Sequence, residues 1–383
     1  MRTPSHSTST LLRGTEHPDD ILRIVAMSSQ PAESTVPYPS DPLPEQHGRL
    51  STQPDPRLPS WSAASRARIA AIAFWGNLIC QMGIILSGGA VRLTASGLGC
   101  STWPNCEPGQ FTPELTLEAG IHPFVEFGNR TLTGVLGVFA IAVLLVSWRW
   151  LRHKGVGFRR LAWVPLIGTA LQAIIGAFVV RLDLHPGLVS PHFLISPVIV
   201  AASTVLVVRL YEGDGTARRT VPWSTVALYA AIAALGFTVL VLGTLVTGTG
   251  PHSGDDGEIT RIAIDPRLIS QIHAASVWLF CALLAVLLVL LHRDPRSAQA
   301  RVSAWALVAL TAVQGVIGYV QYFTGLPELL VFFHLLGAAL FAAGIAWVGA
   351  RLVTWHSDKA PGASEAGPGR ADRITAAADG SAR

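Results

Sequence analysis

The stretch LISQIHAASVWLFCALLAVLLVLL, residues 268–291, contains no Asp, Glu, Lys or Arg. An uncharged apolar segment of about 18 residues or more is long enough to cross a bilayer as a helix. Charged residues make up only 14% of the 383-residue chain, whereas soluble domains contain about 25%. We therefore predict an all-α integral membrane protein rather than a soluble one.

Seven other segments share this composition, and we predict that all eight form transmembrane helices, numbered here as spans one to eight. They are 69–87, 131–148, 161–180, 192–208, 226–247, 268–291, 302–323 and 329–350. The net charge of +4 does not indicate a nucleic-acid partner, because no basic stripe with interleaved aromatic residues accompanies it. In a membrane protein such basic residues mainly set the orientation.

The two ends of the chain differ from the spans in composition. Residues 1–68 are rich in Pro, Ser, Thr and charge, and residues 351–383 combine Gly, Ala and Ser with mixed charges. Such segments bury too little apolar surface to offset their ordering entropy, so we predict two disordered cytoplasmic tails. The first tail lacks the layout of a cleavable signal peptide, and Met27 is a second candidate for the start of the chain.

Basic residues predict the orientation of the chain in the membrane. The loops after spans two, four and six contain more Lys and Arg than the longer alternate loops. The positive-inside rule places these basic loops and both tails in the cytoplasm. We therefore expect a multi-pass plasma-membrane protein in which residues 100–123 lie outside the cell.

An internal repeat organises the spans into two units. The sequence QAIIG at 172–176 returns as QGVIG at 314–318, and His192 and His334 are separated by the same 142 residues. Repeats at a fixed spacing are typical of duplicated structures. The paired Gln172 and Gln314 are expected to form hydrogen bonds between helices, and the paired glycines to permit close helix approach.

Each unit contains an even number of spans, so both insert in the same orientation. We predict two tandem four-helix bundles, 69–210 and 226–350, joined by a cytoplasmic linker at 211–225. A pseudo-two-fold axis along the membrane normal relates the two units.

Three of the twelve histidines, His192, His273 and His334, lie within the spans, all near their outer ends. His273 and His334 belong to different helices of one bundle, as bis-His ligation of haem iron requires. Zinc or copper is an alternative, but such sites usually add Cys or carboxylate ligands. Because the second unit offers only Cys281, about two turns deeper, we favour haem. A structural hydrogen-bonding role for each histidine is the other alternative.

The first unit has a different set of side chains. Asn129 occupies the place where the repeat predicts a second His, and Asn is a poor iron ligand. An iron bound by His192 would then keep an open or weakly filled position, which permits chemistry rather than electron transfer alone. Glu126 lies one turn earlier on the same face. We predict Glu126 and His192 as catalytic residues, with an interfacial pair of Glu126 and Arg130 as the alternative.

Two further pairs lie near the outer surface. Cys100 and Cys106 bracket five residues on the oxidising side and can form a disulfide, either redox-active or structural; zinc binding is less favoured. Arg92 and Arg130 either extend to the membrane interface or bind porphyrin propionates. We therefore include both arginines, with Asn129, among the candidate cofactor-binding residues.

These residues together resemble the haem A synthase family, the membrane enzymes that convert haem O to haem A for cytochrome oxidase. The resemblance covers roughly residues 69–350. It is carried by GGAVRLTASGLGC at 88–100, WPNC at 103–106, EFGNR at 126–130, His192, His273 and His334.

The resemblance implies a b-type haem bound by His273 and His334 in the second unit. It also implies that the first unit binds haem O, with His192 as iron ligand and Glu126 important in catalysis. The implied reaction oxidises the C8 methyl group of haem O to a formyl group through successive hydroxylations with loss of water. Cys100 and Cys106 match the family's external cysteines. Asn129 departs from the family's Glu-x-x-His-Arg motif, which we interpret as a variant in which one protein ligand suffices.

The expected partners are haem O as substrate, haem O synthase (protohaem farnesyltransferase), cytochrome oxidase assembly factors and membrane lipid, without nucleic acid. A non-catalytic bis-His cytochrome that relays electrons is the main alternative function. A repeat-based transporter fits less well, because Pro165 and Pro197 do not occupy matched positions in the two units.

Overall fold

The computed structural model describes residues 62–355 except 116, 118, 119, 256, 258 and 259. Within these residues the chain forms nine α-helices, two short 3-10 turns and one two-stranded sheet. The helices are α1 (Ala63–Leu93), α2 (His122–Arg149), α3 (Val156–Leu161), α4 (Trp163–Arg181), α5 (Pro186–Leu210), α6 (Trp223–Thr249), α7 (Pro266–Arg293), α8 (Ala298–Phe323) and α9 (Glu328–Arg351). The strands are β1 (Ala217–Arg219) and β2 (Val353–Trp355).

Eight helical segments are long and apolar enough to cross a membrane. Each contains one of the predicted spans, with α3 and α4 together forming span three. The prediction of an all-α, multi-pass membrane protein is therefore confirmed. The helices extend beyond the predicted apolar segments because their terminal turns carry polar and charged residues, which can reach the membrane interface.

Helix α1 begins inside the predicted N-terminal tail, 1–68. Ser62 caps it, because the Ser62 hydroxyl accepts a hydrogen bond of 3.1 Å from the backbone N–H of Ser65. The serine and arginine residues that precede the apolar run thus form the first helical turns, and the predicted boundary at residue 68 is too late. The rest of this tail lies outside the described residues.

A second correction concerns the linker and the C-terminal tail, 351–383. Strand β1 of the linker pairs antiparallel with β2, with Ala217 opposite Trp355 and Arg219 opposite Val353. Residues 351–355 are thus ordered, and the remainder of this tail lies outside the described residues. Strands of three residues are too short to produce a recognisable alternation of apolar and polar residues.

The carboxylate of Glu212 connects the ends of α5 and α9 beside this sheet. Glu212 accepts hydrogen bonds from Arg209 at the end of α5, at 3.1 Å, and from Arg351 at the end of α9, at 3.3 Å. The two units are therefore connected at this end by side chains as well as by backbone pairing.

The helices pack around two hydrophobic cores. The first contains Phe74 of α1, Val143 of α2 and Val200 of α5, and the second contains Phe280 of α7 and Leu307 of α8. Helix α9 packs against α8 and also against α1 and α5, so it contributes to both cores. The two-fold relation between the units stays a prediction.

Polar side chains connect helices within each unit, as predicted for Gln172 and Gln314. Gln172 Nε2 of α4 donates to Ser196 Oγ of α5 at 2.6 Å. Gln314 Nε2 of α8 donates to the carbonyl oxygen of His334 in α9 at 3.0 Å. These bonds stabilise the helix pairs that carry His192 and His334.

Candidate functional site

A single large cavity brings the predicted site residues together. Its volume is about 2340 Å³, and its wall is mainly apolar. Ordinary small-molecule pockets have volumes up to about 1,000 Å³, so this cavity has room for more than one such ligand. Its lining includes all the predicted catalytic and cofactor-binding residues: Arg92, Glu126, Asn129, Arg130, His192, His273 and His334.

One ring nitrogen of each of the three histidines lacks a protein partner. The Nδ1 atoms of His192, His273 and His334 are buried and have no hydrogen-bond partner among the described residues. A structural histidine in a membrane interior would hydrogen-bond to a neighbouring helix. Free imidazole nitrogens that face an apolar cavity fit the binding of haem iron instead.

A glycine on the preceding transmembrane helix lies beside each of these imidazole rings. The sequence predicted Gly176 and Gly318 only as sites of close helix approach, and it did not single out Gly243. A glycine leaves the space beside the ring free, because it has no side chain. A Cβ added at these positions would lie 3.5 Å from Cε1 for Gly176 and His192, 3.4 Å for Gly243 and His273, and 3.3 Å for Gly318 and His334.

In the first unit, Asn129 is the residue that corresponds to His273 by the repeat. Its side-chain oxygen already accepts a hydrogen bond. The Ser87 hydroxyl lies 2.6 Å from Asn129 Oδ1, and a Cβ added at Gly88 would lie 3.9 Å from the same oxygen. That oxygen is the atom with which a carboxamide binds a metal. The hydrogen bond therefore supports the prediction that Asn129 lies in the cavity without ligating iron.

Glu126 is buried at the outer end of α2 and has partners on two sides. Its Oε2 accepts a 2.7 Å hydrogen bond from the backbone N–H of Cys100. Its Oε1 accepts two hydrogen bonds from Arg130, one from Nε at 3.0 Å and one from Nη2. The ion pair considered from the sequence is thus present. Because Glu126 also lines the cavity, the ion pair is compatible with a catalytic role.

Arg130 connects this carboxylate to the first external loop. Its Nη1 donates to the carbonyl oxygens of Thr102 at 2.7 Å and Asn105 at 3.2 Å. The guanidinium therefore has protein acceptors on the side of the loop as well as on the side of Glu126. Propionate binding by Arg130 stays a prediction. A bound propionate would share the Arg130 guanidinium with these acceptors.

Arg92, at the end of α1, connects the two predicted units. Its Nε donates to the carbonyl oxygen of His252 at 2.6 Å, and its Nη2 donates to that of Thr247 at 2.8 Å. His252 in turn bonds through Nε2 to the carbonyl oxygen of Leu326, at 2.8 Å. The Arg92 guanidinium thus binds backbone oxygens of the second unit rather than extending to the membrane surface. Propionate binding by Arg92 stays a prediction.

The loop between α1 and α2 forms part of the cavity wall. Cys100 and Cys106 form a disulfide, which confirms the predicted pair. Trp103 and Phe111 of this loop line the cavity, and the Phe111 ring meets the edge of Phe127 at a centroid distance of 5.3 Å. The disulfide loop is therefore positioned beside Glu126, although its spacing alone did not place it there.

Several residues that shape the cavity were not predicted from the sequence. Ser87 and Gly88 were not linked to Asn129, and His252 was passed over because it lies in a loop outside the spans. Arg267 and Gln321 also line the cavity. Of these residues, Gly243 could most easily have been predicted, since the repeat already pairs a glycine with His192 and with His334.

The fold and the cavity define a multi-pass, all-helical membrane protein with three half-buried histidines that line one cavity. Residues 71–252 match the family model described as cytochrome oxidase assembly protein, COX15-CtaA. The resemblance to this family inferred from the sequence is confirmed over the matched segment.

Several similar proteins are named heme A synthase. The one from Oceanobacillus iheyensis is 38% identical over 140 residues, which cover 36% of this chain and 43% of the relative. The one from an Exiguobacterium species is 30% identical over 146 residues, covering 37% and 47%. The one from Exiguobacterium sibiricum is 30% identical over 173 residues, covering 44% and 54%. The chain thus spans about half the length of these relatives.

Proposed function

We propose that this chain is a haem A synthase, a membrane oxidoreductase that converts the C8 methyl group of haem O to the formyl group of haem A. The observation that carries the proposal is the set of three histidines that line the cavity, each with a buried Nδ1 that has no hydrogen-bond partner among the described residues. The names of the relatives support the same assignment.

In the second unit, His273 of α7 and His334 of α9 would bind the iron of a b-type haem from its two faces. A haem held by two imidazoles supplies one-electron transfer when bound. The protein contributes the ring positions and a dry environment. Phe280, Phe341 and Leu335 line the cavity and exclude water from it.

In the first unit, His192 would be the protein ligand of the substrate iron. The Asn129 carboxamide lines the same cavity with its oxygen bound to Ser87, so His192 would be the one strong protein ligand among the described residues of this site. This asymmetry between the units favours oxidation at the first site and electron transfer at the second.

Glu126 is the one carboxylate among the described residues that line the cavity. Arg130 balances its charge, and the Cys100 N–H fixes one of its oxygens. A carboxylate held in this way can accept a proton at the edge of the substrate. We therefore assign Glu126 to proton handling during oxidation of the methyl group.

The cellular context of the proposal follows from the basic loops. The positive-inside rule favours a plasma-membrane protein with both termini in the cytoplasm and the Cys100–Cys106 loop outside. Haem O reaches such a site from haem O synthase, and haem A leaves it toward the assembly factors of cytochrome oxidase.

Haem analysis of cells tests the proposed reaction. Cells that produce haem O are expressed with the wild-type chain or with His192→Ala, and their haems are extracted, separated and identified by mass. The wild-type chain is expected to yield haem A, and the variant to accumulate haem O because its substrate iron lacks a ligand. Unchanged haem O with the wild-type chain, together with a bis-His haem spectrum, would favour the electron-relay cytochrome instead.

The glycine beside His334 gives a further prediction. In Gly318→Val, the new Cβ would lie 3.3 Å from His334 Cε1, and its two methyl groups would push the ring out of place. We expect purified Gly318→Val to lose most of its b-type haem, measured as haem absorbance per mole of protein. Gly137→Val in α2 is the control, since a Cβ there has no neighbour within 4 Å and Gly137 does not line the cavity. Equal haem content in the two variants would contradict the role of Gly318.

A further inference from the structure

Three guanidinium groups line the cavity, and they differ in their partners. Arg92 and Arg130 donate to backbone oxygens and to Glu126, as described above. The guanidinium of Arg267 forms no hydrogen bond or ion pair with any described residue, although its backbone N–H donates to Asp265 Oδ1 at 2.7 Å. Arg267 is therefore the cavity-lining cation that is available to a ligand.

The position of Arg267 relates it to the second-unit site. It lies in the first turn of α7, six residues before His273, which is about 9 Å along a helix axis. Arg267 is exposed, so the cavity reaches the surface of the protein at this end. Carboxylates of a bound ligand are expected at that end, because an ionised group is strongly disfavoured in an apolar interior.

A buried amide lies at the same end of the cavity. Gln321 of α8 follows Gly318 by three residues and lines the cavity, and its Oε1 is buried without a hydrogen-bond partner among the described residues. A carboxamide can donate through its NH2 group to a carboxylate. This end of the second-unit site thus offers a guanidinium and an amide NH2 group, neither of which has a hydrogen-bond partner among the described residues.

The first unit has no equivalent pair. At the spacing of 144 residues that relates Asn129 to His273, Arg267 corresponds to Pro123, and at the spacing of 142 residues Gln321 corresponds to Val179. Neither of these side chains can bind an anion. The pair is therefore a property of the second site and does not follow from the repeat.

We propose that Arg267, with Gln321, binds a propionate carboxylate of the second-unit haem and so fixes how that haem is oriented between His273 and His334. The inference rests on the proposed b-type haem at this site. Arg267 acts as a cofactor-binding residue and takes no part in the oxidation itself.

The test compares two ligands that differ only in their carboxylates. Full-length apoprotein in detergent is titrated with protohaem and with protohaem dimethyl ester, and the low-spin absorbance reports binding at the bis-His site. Arg267→Leu is expected to bind protohaem about tenfold more weakly, since a hydrogen bond to a charged group contributes about 1.5–3 kcal/mol. Its affinity for the ester should match that of the wild type, and Arg267→Lys should fall between.

Two more variants sharpen the comparison. Gln321→Glu adds a negative charge and should also weaken binding of protohaem while sparing the ester. Arg293→Leu is the matched control, because Arg293 ends the same helix on the opposite side of the membrane, and it should bind both ligands as the wild type does.

The outcomes separate this inference from the proposed function. If Arg267→Leu loses affinity equally for acid and ester, or for neither, the carboxylate contact is absent and the inference is overturned. If the wild-type chain gives no low-spin spectrum with either ligand, the b-type haem site itself is wrong and both proposals fall.

Discussion

Replacing His273 or His334 with alanine is expected to abolish the low-spin b-type haem spectrum of the purified protein. Each of these histidines lines the cavity, and the Nδ1 atom of each has no hydrogen-bond partner among the described residues, so neither ring is fully engaged by the protein. Loss of one ligand leaves an iron with an open coordination position, and its spectrum then changes to that of high-spin haem or disappears with the haem. Optical and electron paramagnetic resonance spectra measure this directly.

His292 provides the matched control for these variants. It lies near the end of α7, where its Nδ1 bonds to the carbonyl oxygen of Leu288 at 2.7 Å, and its ring meets the edge of Trp305. His292→Ala should therefore keep the low-spin spectrum. An unchanged spectrum in His273→Ala would refute the ligand assignment.

Replacing Glu126 with glutamine is expected to reduce haem A formation at least about hundredfold, the lower range for loss of general acid–base catalysis. Glutamine has nearly the same size and can still accept from the Cys100 N–H. It cannot balance the charge of Arg130 or accept a proton. The second-unit spectrum should persist, because His273 and His334 lie on other helices. The measurement is haem A accumulation in cells supplied with haem O.

Glu107→Gln is the control for this second prediction. Glu107 belongs to the disulfide loop and accepts a 2.6 Å hydrogen bond from Ser101, but it does not line the cavity. Its replacement should leave haem A formation near the wild-type level. Normal haem A in Glu126→Gln would remove Glu126 from the mechanism.

The membrane fold could be predicted because it depends on local properties of the sequence. A run such as 268–291 is apolar and uncharged over the length of a bilayer, and no tertiary information is needed to recognise it. The histidines inside the spans could also be recognised from the sequence. Ionisable residues are rare inside transmembrane helices, and His192 and His334 share the repeat. The structure places His192, His273 and His334 around one cavity.

The partners of the polar residues could not be predicted, since they depend on contacts between distant segments. Arg130 follows Glu126 by one helical turn, so their ion pair was foreseeable, whereas the bond from the Cys100 N–H required the fold of the loop. Propionate binding by Arg92 stays a prediction, but its bond to the carbonyl oxygen of His252, 160 residues away, could not be foreseen from the sequence.

Analysis of the haems bound to the purified wild-type chain, after expression with a haem O producer, tests the central claim most directly. Mass spectrometry identifies the haems, and electron paramagnetic resonance identifies their ligands. We predict protohaem with a bis-imidazole signal, accompanied by haem O or haem A in a site with one strong protein ligand. Protohaem alone, with bis-imidazole ligation throughout, would contradict the account.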